Sequence, residues 1–384
     1  MRQLATVQKI LSIESIPGYD RVEYATILGW HCVVKKGEFK PGDLAIYLEV
    51  DSVCPAHPAF EFLAKYKYRV KTQKLCKVLS QGLVLSMADA QAFQFKKFPL
   101  HEGDDVTDAL GIVKYDPELA AEHGGEPQKD RWLLNFLKRF AAFRYFMRYG
   151  WFRNLWIERK AKGGWPSDIP KTDEIRIQSV PWLLEKYKGK VFRRSTKMDG
   201  QSGTYFLWST STWFGGVKDM LGVCSRTIWK KTKHPCSWWA VADKYDMLSK
   251  LKMAEKLTGK HMVFQGEIVG PGVQGNKYAR KDYEFYVFNV LFRGNGSCVR
   301  ATPAETKDIC GKVGLPMVPE LEPIVMDHTV DQLVELSKGD SMPVSPATRE
   351  GVVYRTEELI EEHIEGGYVS FKVLNPLFDL EHDK

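Results

Sequence analysis

A four-residue segment, Lys197-Met-Asp-Gly200, places a potential nucleophile two residues before a carboxylate. An uncharged lysine amine can attack phosphorus and form a phosphoramidate, a high-energy bond that can then be passed to another acceptor. Strand-like sequence flanks the segment on both sides, so a rigid sheet is expected to aim the amine at a pocket. Because the pKa of lysine is ordinarily about 10.4, its surroundings must lower that pKa for reaction at neutral pH, and a nearby cation would do so. The alternative for a single lysine is a solvated surface charge.

Five further motifs follow this lysine in order, and each supplies a residue type that chemistry at a phosphate needs. They are Ser225-Arg226, Phe264-Gln-Gly-Glu267-Ile, Tyr286-Val-Phe288-Asn289, Glu350-Gly-Val-Val-Tyr and Ser370-Phe-Lys372. Carboxylates gather a divalent cation, basic side chains balance phosphate charge, and an aromatic ring can stack on a base. Each motif is weak by itself, whereas the ordered set is a strong signal.

The ordered set resembles the covalent nucleotidyltransferase superfamily of ligases and RNA-capping enzymes. The resemblance implies that Lys197 accepts AMP from ATP, with Asp199 and Lys372 also acting in catalysis. It further implies one Mg²⁺ or Mn²⁺ ion, held through bound water. The implied metal-binding residues are Asp199, Glu267 and Glu350. The implied nucleotide-binding residues are Arg176, Thr196, Gly200, Arg226, Glu267, Phe288 and Lys372, with Phe288 stacked on adenine.

Some positions leave alternatives open. Ligases often have Lys-x-Lys in the last motif, whereas this sequence has Ser370-Phe-Lys372. Asn289 stands where many relatives have aspartate. For Phe288 the alternative is a core aromatic, and for Arg226 it is a generic basic face.

Three regions of different character must position these residues. Residues 1–115 contain short apolar runs between Gly and Pro turns, which predicts a small β-barrel, with any other small β domain as the alternative. The resemblance implies that this region is an OB-like β-barrel that binds nucleic acid. Residues 116–170 are predicted to form a basic helical connector. Residues 171–384 mix strand-like and helix-like segments without a βαβ rhythm. They are expected to form a nucleotidyltransferase domain, so the fold class is α+β, with antiparallel sheets and flanking helices.

The connector includes a stretch without acidic residues, from 131 to 157. Its apolar residues recur at helical spacing, interleaved with basic residues that include Arg144, Arg148 and Arg153. One hypothesis is that these arginines contact phosphates of a bound duplex. The alternatives are a helix that packs its aromatic face on a domain and a helix that lies on a membrane surface.

Composition excludes several classes of protein. The 384 residues are 44% hydrophobic and carry a net charge of +7, which fits a folded chain of two domains and is compatible with a polyanionic partner. The seven cysteines form no Cys-x-x-Cys pair, which argues against a zinc ribbon or a disulfide framework. No signal peptide or apolar run of about 20 residues is present, so we expect a soluble intracellular protein, cytoplasmic or nuclear, without a membrane partner.

The order of the regions points to one branch of the superfamily. DNA ligases and capping enzymes usually have their OB domain after the last motif, whereas here the β-rich region comes first. This order resembles RNA ligase family five, the nick-sealing RNA ligases, as do residues 42–49 and the segment Lys171-Thr-Asp-Glu-Ile-Arg176. The resemblance implies that Arg176 contacts the ATP phosphates. It also implies ATP-dependent joining of 3′-hydroxyl and 5′-phosphate ends in nicked RNA or RNA/DNA duplexes, by a monomer.

Two other functions remain open from the sequence. A capping guanylyltransferase would use the same lysine with GTP. A non-catalytic RNA-binding protein could be built on the OB-like module, but such a groove needs basic and aromatic residues and has no use for three acids near phosphate.

Overall fold

The structure of the chain is a computed structural model that describes residues 3–90, 93, 99–115, 162–211, 217–230, 233, 235–294, 296–342, 345–364 and 366–382. The connector hypothesis, with Arg144, Arg148 and Arg153, therefore lies outside the described residues. Among the described residues, no helix has the length and apolar character needed to cross a membrane.

The N-terminal domain is built around one strongly bent antiparallel sheet. Its strands are β1 (Ala5–Ser15), β2 (Val22–Ile27), β3 (Trp30–Lys35), β4 (Leu44–Leu48), β5 (Ser52–Val53), β6 (Thr72–Leu75), β7 (Val78–Gln81), β8 (Leu83–Ser86) and β9 (Val113–Lys114). A 3-10 helix (Pro58–Tyr66) and the short helix α1 (Met87–Ala90) complete it. The main sheet has the order β3-β2-β1-β4-β8, and β5-β9 and β6-β7 form two small pairs.

The long strand β1 explains the barrel-like curvature of this domain. Its first half pairs with β4 and its second half with β2, with a register shift between Ile10 and Ser12. Both faces of β4 are buried, since Ile46 packs in one hydrophobic cluster and Tyr47 in another. The β-rich N-terminal module predicted from the sequence is therefore confirmed.

The second domain contains two larger sheets with helices on their outer sides. Its strands are β10 (Lys162–Gly163), β11 (Ile175–Arg176), β12 (Val191–Lys197), β13 (Gln201–Ser211), β14 (Val217–Cys224), β15 (Trp229–Lys230), β16 (His261–Val269), β17 (Glu284–Gly294), β18 (Ser297–Arg300), β19 (Glu320–Val325), β20 (Asp340–Met342), β21 (Ser345–Thr348), β22 (Gly351–Thr356) and β23 (Ser370–Leu374). Its helices are α2 (Trp182–Lys186), α3 (Ser237–Lys244), α4 (Met247–Thr258), α5 (Pro303–Val313), α6 (Val330–Ser337) and α7 (Pro376–His382), with 3-10 turns at Ile177–Ser179 and Gln274–Asn276.

The two sheets are mostly antiparallel, as predicted. One has seven strands in the order β10-β15-β14-β13-β16-β17-β18, and the other has five in the order β11-β23-β22-β12-β19, with only β11 and β23 parallel. Helices α3, α4 and α5 cover one face of the seven-stranded sheet, where Met247, Leu251 and Ile309 pack against Phe264. Helices α2 and α6 cover the five-stranded sheet in the same way, through Leu183 and Leu333 among others.

Residues before 171 also join the second domain. Strand β10 pairs with β15 at the edge of the seven-stranded sheet, and Ile169 packs in a buried cluster with Phe206 and Leu291. These contacts attach the end of the predicted connector to the seven-stranded sheet.

The two domains contact each other directly. The backbone N–H of Gly29 donates to the carbonyl of Gln178 at 2.9 Å. Arg176 donates from Nη2 to Oδ2 of Asp51 at 2.8 Å, across a sequence separation of 125 residues. The N-terminal domain therefore lies against the start of the second domain.

Candidate active site

The predicted nucleophile lies at the end of a strand in the five-stranded sheet. Lys197 is the last residue of β12, where its backbone pairs with Gly351 at the start of β22. Its Nζ donates a 2.6 Å hydrogen bond to Oε1 of Glu350, the residue before β22. Glycine is required at 351 because a Cβ would lie 2.3 Å from the carbonyl oxygen of Val373 on β23. Pairing of three strands therefore fixes the lysine amine against the Glu350 carboxylate.

Two more carboxylates lie near the same amine because the chain passes from one sheet to the other directly after Lys197. After Lys197 the chain enters β13 of the seven-stranded sheet, which pairs with β16. A Cβ on Gly200 would lie 2.3 Å from the carbonyl oxygen of Ile268 and 2.9 Å from Cγ of Glu267, so this approach requires glycine. Asp199 and Glu267 are consequently both near enough to stabilise the charge on Lys197.

The charged groups of this cluster shift each other's pKa values. Burial by itself lowers the pKa of the Lys197 amine, but the three carboxylates outweigh burial and raise that pKa above its ordinary value. Burial raises the pKa of Glu267 to about 8, helped by repulsion from Glu350 and Asp199 and opposed by attraction to Lys197. The protein's own groups therefore keep the amine protonated. The expected lowering of the lysine pKa by a nearby cation stays a prediction.

The three carboxylates fit a divalent cation bound through water. Among the described residues, no set of three or more His, Cys, Asp or Glu side chains is arranged to hold a metal ion directly. Oε2 of Glu350 is nevertheless buried and has no hydrogen-bond partner among the described groups. Glu267 is also disfavoured as an anion because it is buried beside other carboxylates. A hydrated divalent cation would satisfy both groups, as Mg²⁺ often does when it keeps several of its waters.

A second charged cluster brings together the predicted phosphate-binding residues. Arg226 donates to both oxygens of Asp173, at 2.8 and 3.0 Å, and Lys114 of the N-terminal domain contacts the same carboxylate. Burial by itself would raise the pKa of Asp173, but the charges of Lys372, Arg226 and Lys114 hold that pKa well below its usual range. Arg176 and Lys372 are neighbours in register on β11 and β23. A nucleotide phosphate would meet several cations here.

Arg176 is positioned by the N-terminal domain. Its side chain is only 4% exposed, and its partner Asp51 also accepts a 2.6 Å hydrogen bond from Arg69. The guanidinium lies 5.7 Å from the centre of the Trp30 ring. Contact of Arg176 with ATP phosphates stays a prediction, and the domain interface determines where its guanidinium lies.

A cleft opens on the side of β12 that carries the lysine. It is lined from both sheets, by Ser195, Phe288, Asn289 and Arg355 among others. Ser195 precedes Lys197 by two residues, so the alternation of a strand places both side chains on one face, about 7 Å apart. The cleft therefore lies beside the nucleophile strand, on the face that carries the lysine.

Phe288 reaches this cleft because of a β-bulge. The register between β16 and β17 shifts between Gln265 and Gly266, which leaves Phe288 as the extra residue. Its carbonyl accepts a 2.5 Å hydrogen bond from Arg355, which also donates to Glu174 at 2.9 Å. The predicted stacking ring thus lies on the cleft wall, held by a buried ion pair, and its stacking on adenine stays a prediction.

The loop 270–280 supplies contacts that the sequence analysis missed. Lys277 contacts the Asp199 carboxylate, and the Tyr278 hydroxyl accepts a 2.7 Å hydrogen bond from the Asp199 N–H. Residues 274–276 all have left-handed backbone conformations, which turn the loop back onto the nucleophile segment. The clustering of Gly and Asn in this loop was the only signal for such a turn. No motif indicated Lys277.

The structure brings most of the predicted site residues together. The first cluster contains Lys197, Asp199, Glu267 and Glu350, and the second contains Arg176, Arg226 and Lys372. Thr196 has a buried side chain, and its N–H donates to the carbonyl of Pro319 at 2.8 Å, so it supports β12. The missed participants are Asp51, Asp173, Lys114 and Lys277.

Comparison with known proteins decides which chemistry this arrangement serves. An OB-fold domain model matches residues 4–87, and the RNA ligase family model matches residues 191–374, the stretch that holds the carboxylate cluster. The chain is an RNA ligase. Both the predicted function class and the predicted order, an OB module before the catalytic domain, are confirmed for this ligase.

Solved structures resemble the ligase over its whole length. The Naegleria gruberi RNA ligase with PPi is 27% identical with a TM-score of 0.74, and the match covers 100% of this chain and 99% of that one. A variant of that enzyme with ATP and Mn is 26% identical with a TM-score of 0.74, covering 99% of each chain. Another variant, with AMP and Mn, is 26% identical with a TM-score of 0.74 and covers 100% and 99%. No curated protein matches the ligase significantly.

Proposed function

We propose that this ligase uses ATP to join a 3′-hydroxyl to a 5′-phosphate through AMP carried on Lys197. The observation that supports this most is the position of the Lys197 amine. It is held at 2.6 Å by Glu350 within a cluster of three carboxylates, and Ser195, two residues before it on β12, lines the cleft. Lys372 acts on the carboxylates of both Glu350 and Asp173, which links this cluster to the cationic one. The Naegleria gruberi relatives solved with ATP, AMP and Mn support the choice of nucleotide.

The first step is attack of the Lys197 amine on the α-phosphate of ATP. The new N–P bond replaces the bond to the leaving pyrophosphate, and the proton of the amine goes to solvent or to Glu350, its hydrogen-bond partner at 2.6 Å. Arg226 and Lys372 would release the Asp173 carboxylate and bind the departing phosphates in its place. Phe288 would hold the adenine.

Asp199, Glu267 and Glu350 would hold one Mg²⁺ or Mn²⁺ ion through water. When bound, such an ion offsets the three negative charges and stabilises charge at the α-phosphate. Burial lowers the pKa of Lys197, and its carboxylate neighbours raise that pKa by more. Neutralising those carboxylates with a cation therefore favours the free amine.

In the later steps, AMP passes to a 5′-phosphate, and a 3′-hydroxyl then displaces AMP to close the strand. The substrate we propose is a nick in a duplex whose 3′-hydroxyl strand is RNA. The OB-fold match at residues 4–87 supports nucleic-acid binding, because the open face of such barrels accepts oligonucleotides. We also propose that Arg144, Arg148 and Arg153, outside the described residues, contact the duplex.

The test is a sealing assay on nicked duplexes with a labelled 5′-phosphate. Four substrates combine RNA or DNA on the 3′-hydroxyl side with RNA or DNA on the 5′-phosphate side. We expect ATP-dependent joining with RNA at the 3′-hydroxyl, no joining by Lys197→Ala, and normal joining by the exposed control Lys190→Ala. Equal sealing of all four nicks would contradict the proposed preference, and sealing with GTP alone would favour a capping-type nucleotide site.

A further inference from the structure

The orientation of one buried amide can be worked out from its neighbours. Nε2 of Gln265 donates a 2.8 Å hydrogen bond to the carbonyl of Pro170, which can only accept. The amide oxygen of Gln265 must therefore face the other way, where it accepts a 3.0 Å hydrogen bond from Nδ2 of Asn289. This chain of two amides leaves the Asn289 oxygen with one possible role, that of an acceptor.

That acceptor has no partner of its own. Asn289 is only 3% exposed, and its Oδ1 receives no hydrogen bond from the described groups. A buried unpaired amide oxygen costs free energy, so an occupant that donates a hydrogen bond would be favoured there.

The residue that carries this unpaired oxygen lines the nucleotide cleft. The β-bulge at Phe288 puts Asn289 beside it, and both residues line the cleft. Because Nδ2 of Asn289 is turned toward Gln265 on β16, Oδ1 is turned away from β16.

The distance of Asn289 from the carboxylate cluster fits the position of the base of a bound nucleotide better than the position of its phosphates. Asn289 pairs with Gln265, two residues along β16 from Glu267, which belongs to the carboxylate cluster around Lys197. Two strand residues span about 7 Å, roughly the distance from an α-phosphate across the ribose to the base. Asn289 also adjoins the ring predicted to stack on that base.

We propose that the Asn289 amide oxygen accepts a hydrogen bond from the exocyclic 6-amine of adenine and so selects ATP against GTP. Guanine carries a carbonyl oxygen at that position, and two acceptors would then face each other. The inference rests on the proposed use of ATP, and it names Asn289, with Gln265 as its positioning residue, as the determinant of base choice.

The experiment compares four triphosphates in the covalent labelling step on the full chain. They are ATP, GTP, purine riboside triphosphate, which lacks the 6-amine, and 2′-deoxy-ATP. We expect the wild type to prefer ATP over purine riboside triphosphate in kcat/KM by about tenfold or more, the effect of one well-formed hydrogen bond. In Asn289→Leu this ratio should fall to about one. A ratio between substrates on the same protein is insensitive to partial loss of folded enzyme.

A second variant tests whether Gln265 fixes the orientation of the Asn289 amide. Gln265→Met removes the partner that fixes the Asn289 amide, which is then able to turn its NH₂ group toward the base. We expect a gain of GTP use relative to ATP in this variant. Asn289→Asp keeps an acceptor oxygen and should keep the preference for ATP.

The outcomes separate the two proposals. If ATP labels the wild type but Asn289→Leu keeps the full preference over purine riboside triphosphate, the role of Asn289 is refuted and the ATP assignment stands. If Asn289→Leu changes only the ratio of ATP to 2′-deoxy-ATP, the donor is a ribose hydroxyl, and the adenine contact is wrong. If the wild type is not labelled by ATP, both proposals fail.

Discussion

The Lys197 amine donates a 2.6 Å hydrogen bond to Oε1 of Glu350, and this ion pair holds the nucleophile in its protonated form. An ammonium has no lone pair with which to attack phosphorus. The ligase therefore has to weaken this contact before the first step, which makes the Glu350 carboxylate both a partner and a restraint.

The first prediction concerns the pH dependence of Lys197 in the absence of added metal. Although burial opposes it, the neighbouring carboxylates raise the pKa of this amine, so its reaction with an acylating reagent should increase only at pH above the ordinary lysine range. Glu350→Gln removes one of those charges and should move the profile to lower pH. Mass spectrometry of the Lys197 peptide, with the exposed Lys190 as internal reference, measures both profiles. Superimposable profiles for the two proteins would contradict the role given to Glu350.

A second prediction concerns proton release on metal binding. The pKa of Glu267 is raised to about 8, chiefly by burial, so below that pH this carboxyl is protonated and a cation must displace its proton. Affinity for Mn²⁺ should therefore rise as pH increases toward about 8 and level off above it. Calorimetric titrations in buffers of different ionisation enthalpy report the released proton. Glu267→Gln should abolish that release, and unchanged proton release in this variant would show that another group titrates.

The third prediction is that Lys277 competes with the metal. Its ammonium contacts the Asp199 carboxylate, which is proposed to help hold the cation. Lys277→Met should increase the affinity for Mn²⁺ several-fold, measured as free Mn²⁺ by electron paramagnetic resonance, because an opposing positive charge is removed. Lys281→Met is the matched control, since that lysine is exposed in the same loop region. Weaker Mn²⁺ binding by Lys277→Met would indicate that the lysine orients Asp199 instead.

A fourth prediction tests the contact between the domains. Asp51 fixes Arg176, so Asp51→Asn should raise the KM for ATP in lysine adenylylation by about tenfold, the effect of weakening one charged hydrogen bond. Sealing of a nick that already carries AMP needs no ATP phosphates and should be little changed. The exposed Asp20→Asn in the same domain serves as control. Equal losses in both reactions would mean that Asp51 acts through general stability.

The site residues that could be located from the sequence alone are those that lie in short local motifs. Lys197 and Asp199 share one short segment, and Glu267 and Glu350 each lie in a short motif on or beside a strand. The mixture of strand-like and helix-like segments without a βαβ rhythm also explains why an α+β fold was predictable. The three carboxylates met at one lysine because β12, β16 and β22 are brought together by pairing and by the crossing at Gly200.

The residues that sequence missed act through distant partners. Asp51 and Arg176 are 125 residues apart, and Asp173 meets Arg226 across 53 residues. No local pattern records such a pairing, because it depends on how two domains and two sheets pack. The raised pKa of Lys197 was missed for the same reason, since it is the sum of charges from several strands after the cost of burial.

The most direct test of the account is the mass of the intact protein after incubation with ATP and Mn²⁺, followed by peptide mapping. We expect a gain equal to one AMP, located on Lys197, lost in Lys197→Ala and retained in Lys190→Ala. Release of AMP and sealing should follow when a nicked duplex is added. An adduct on another residue, or active protein without any adduct, would contradict the central claim that Lys197 carries the AMP.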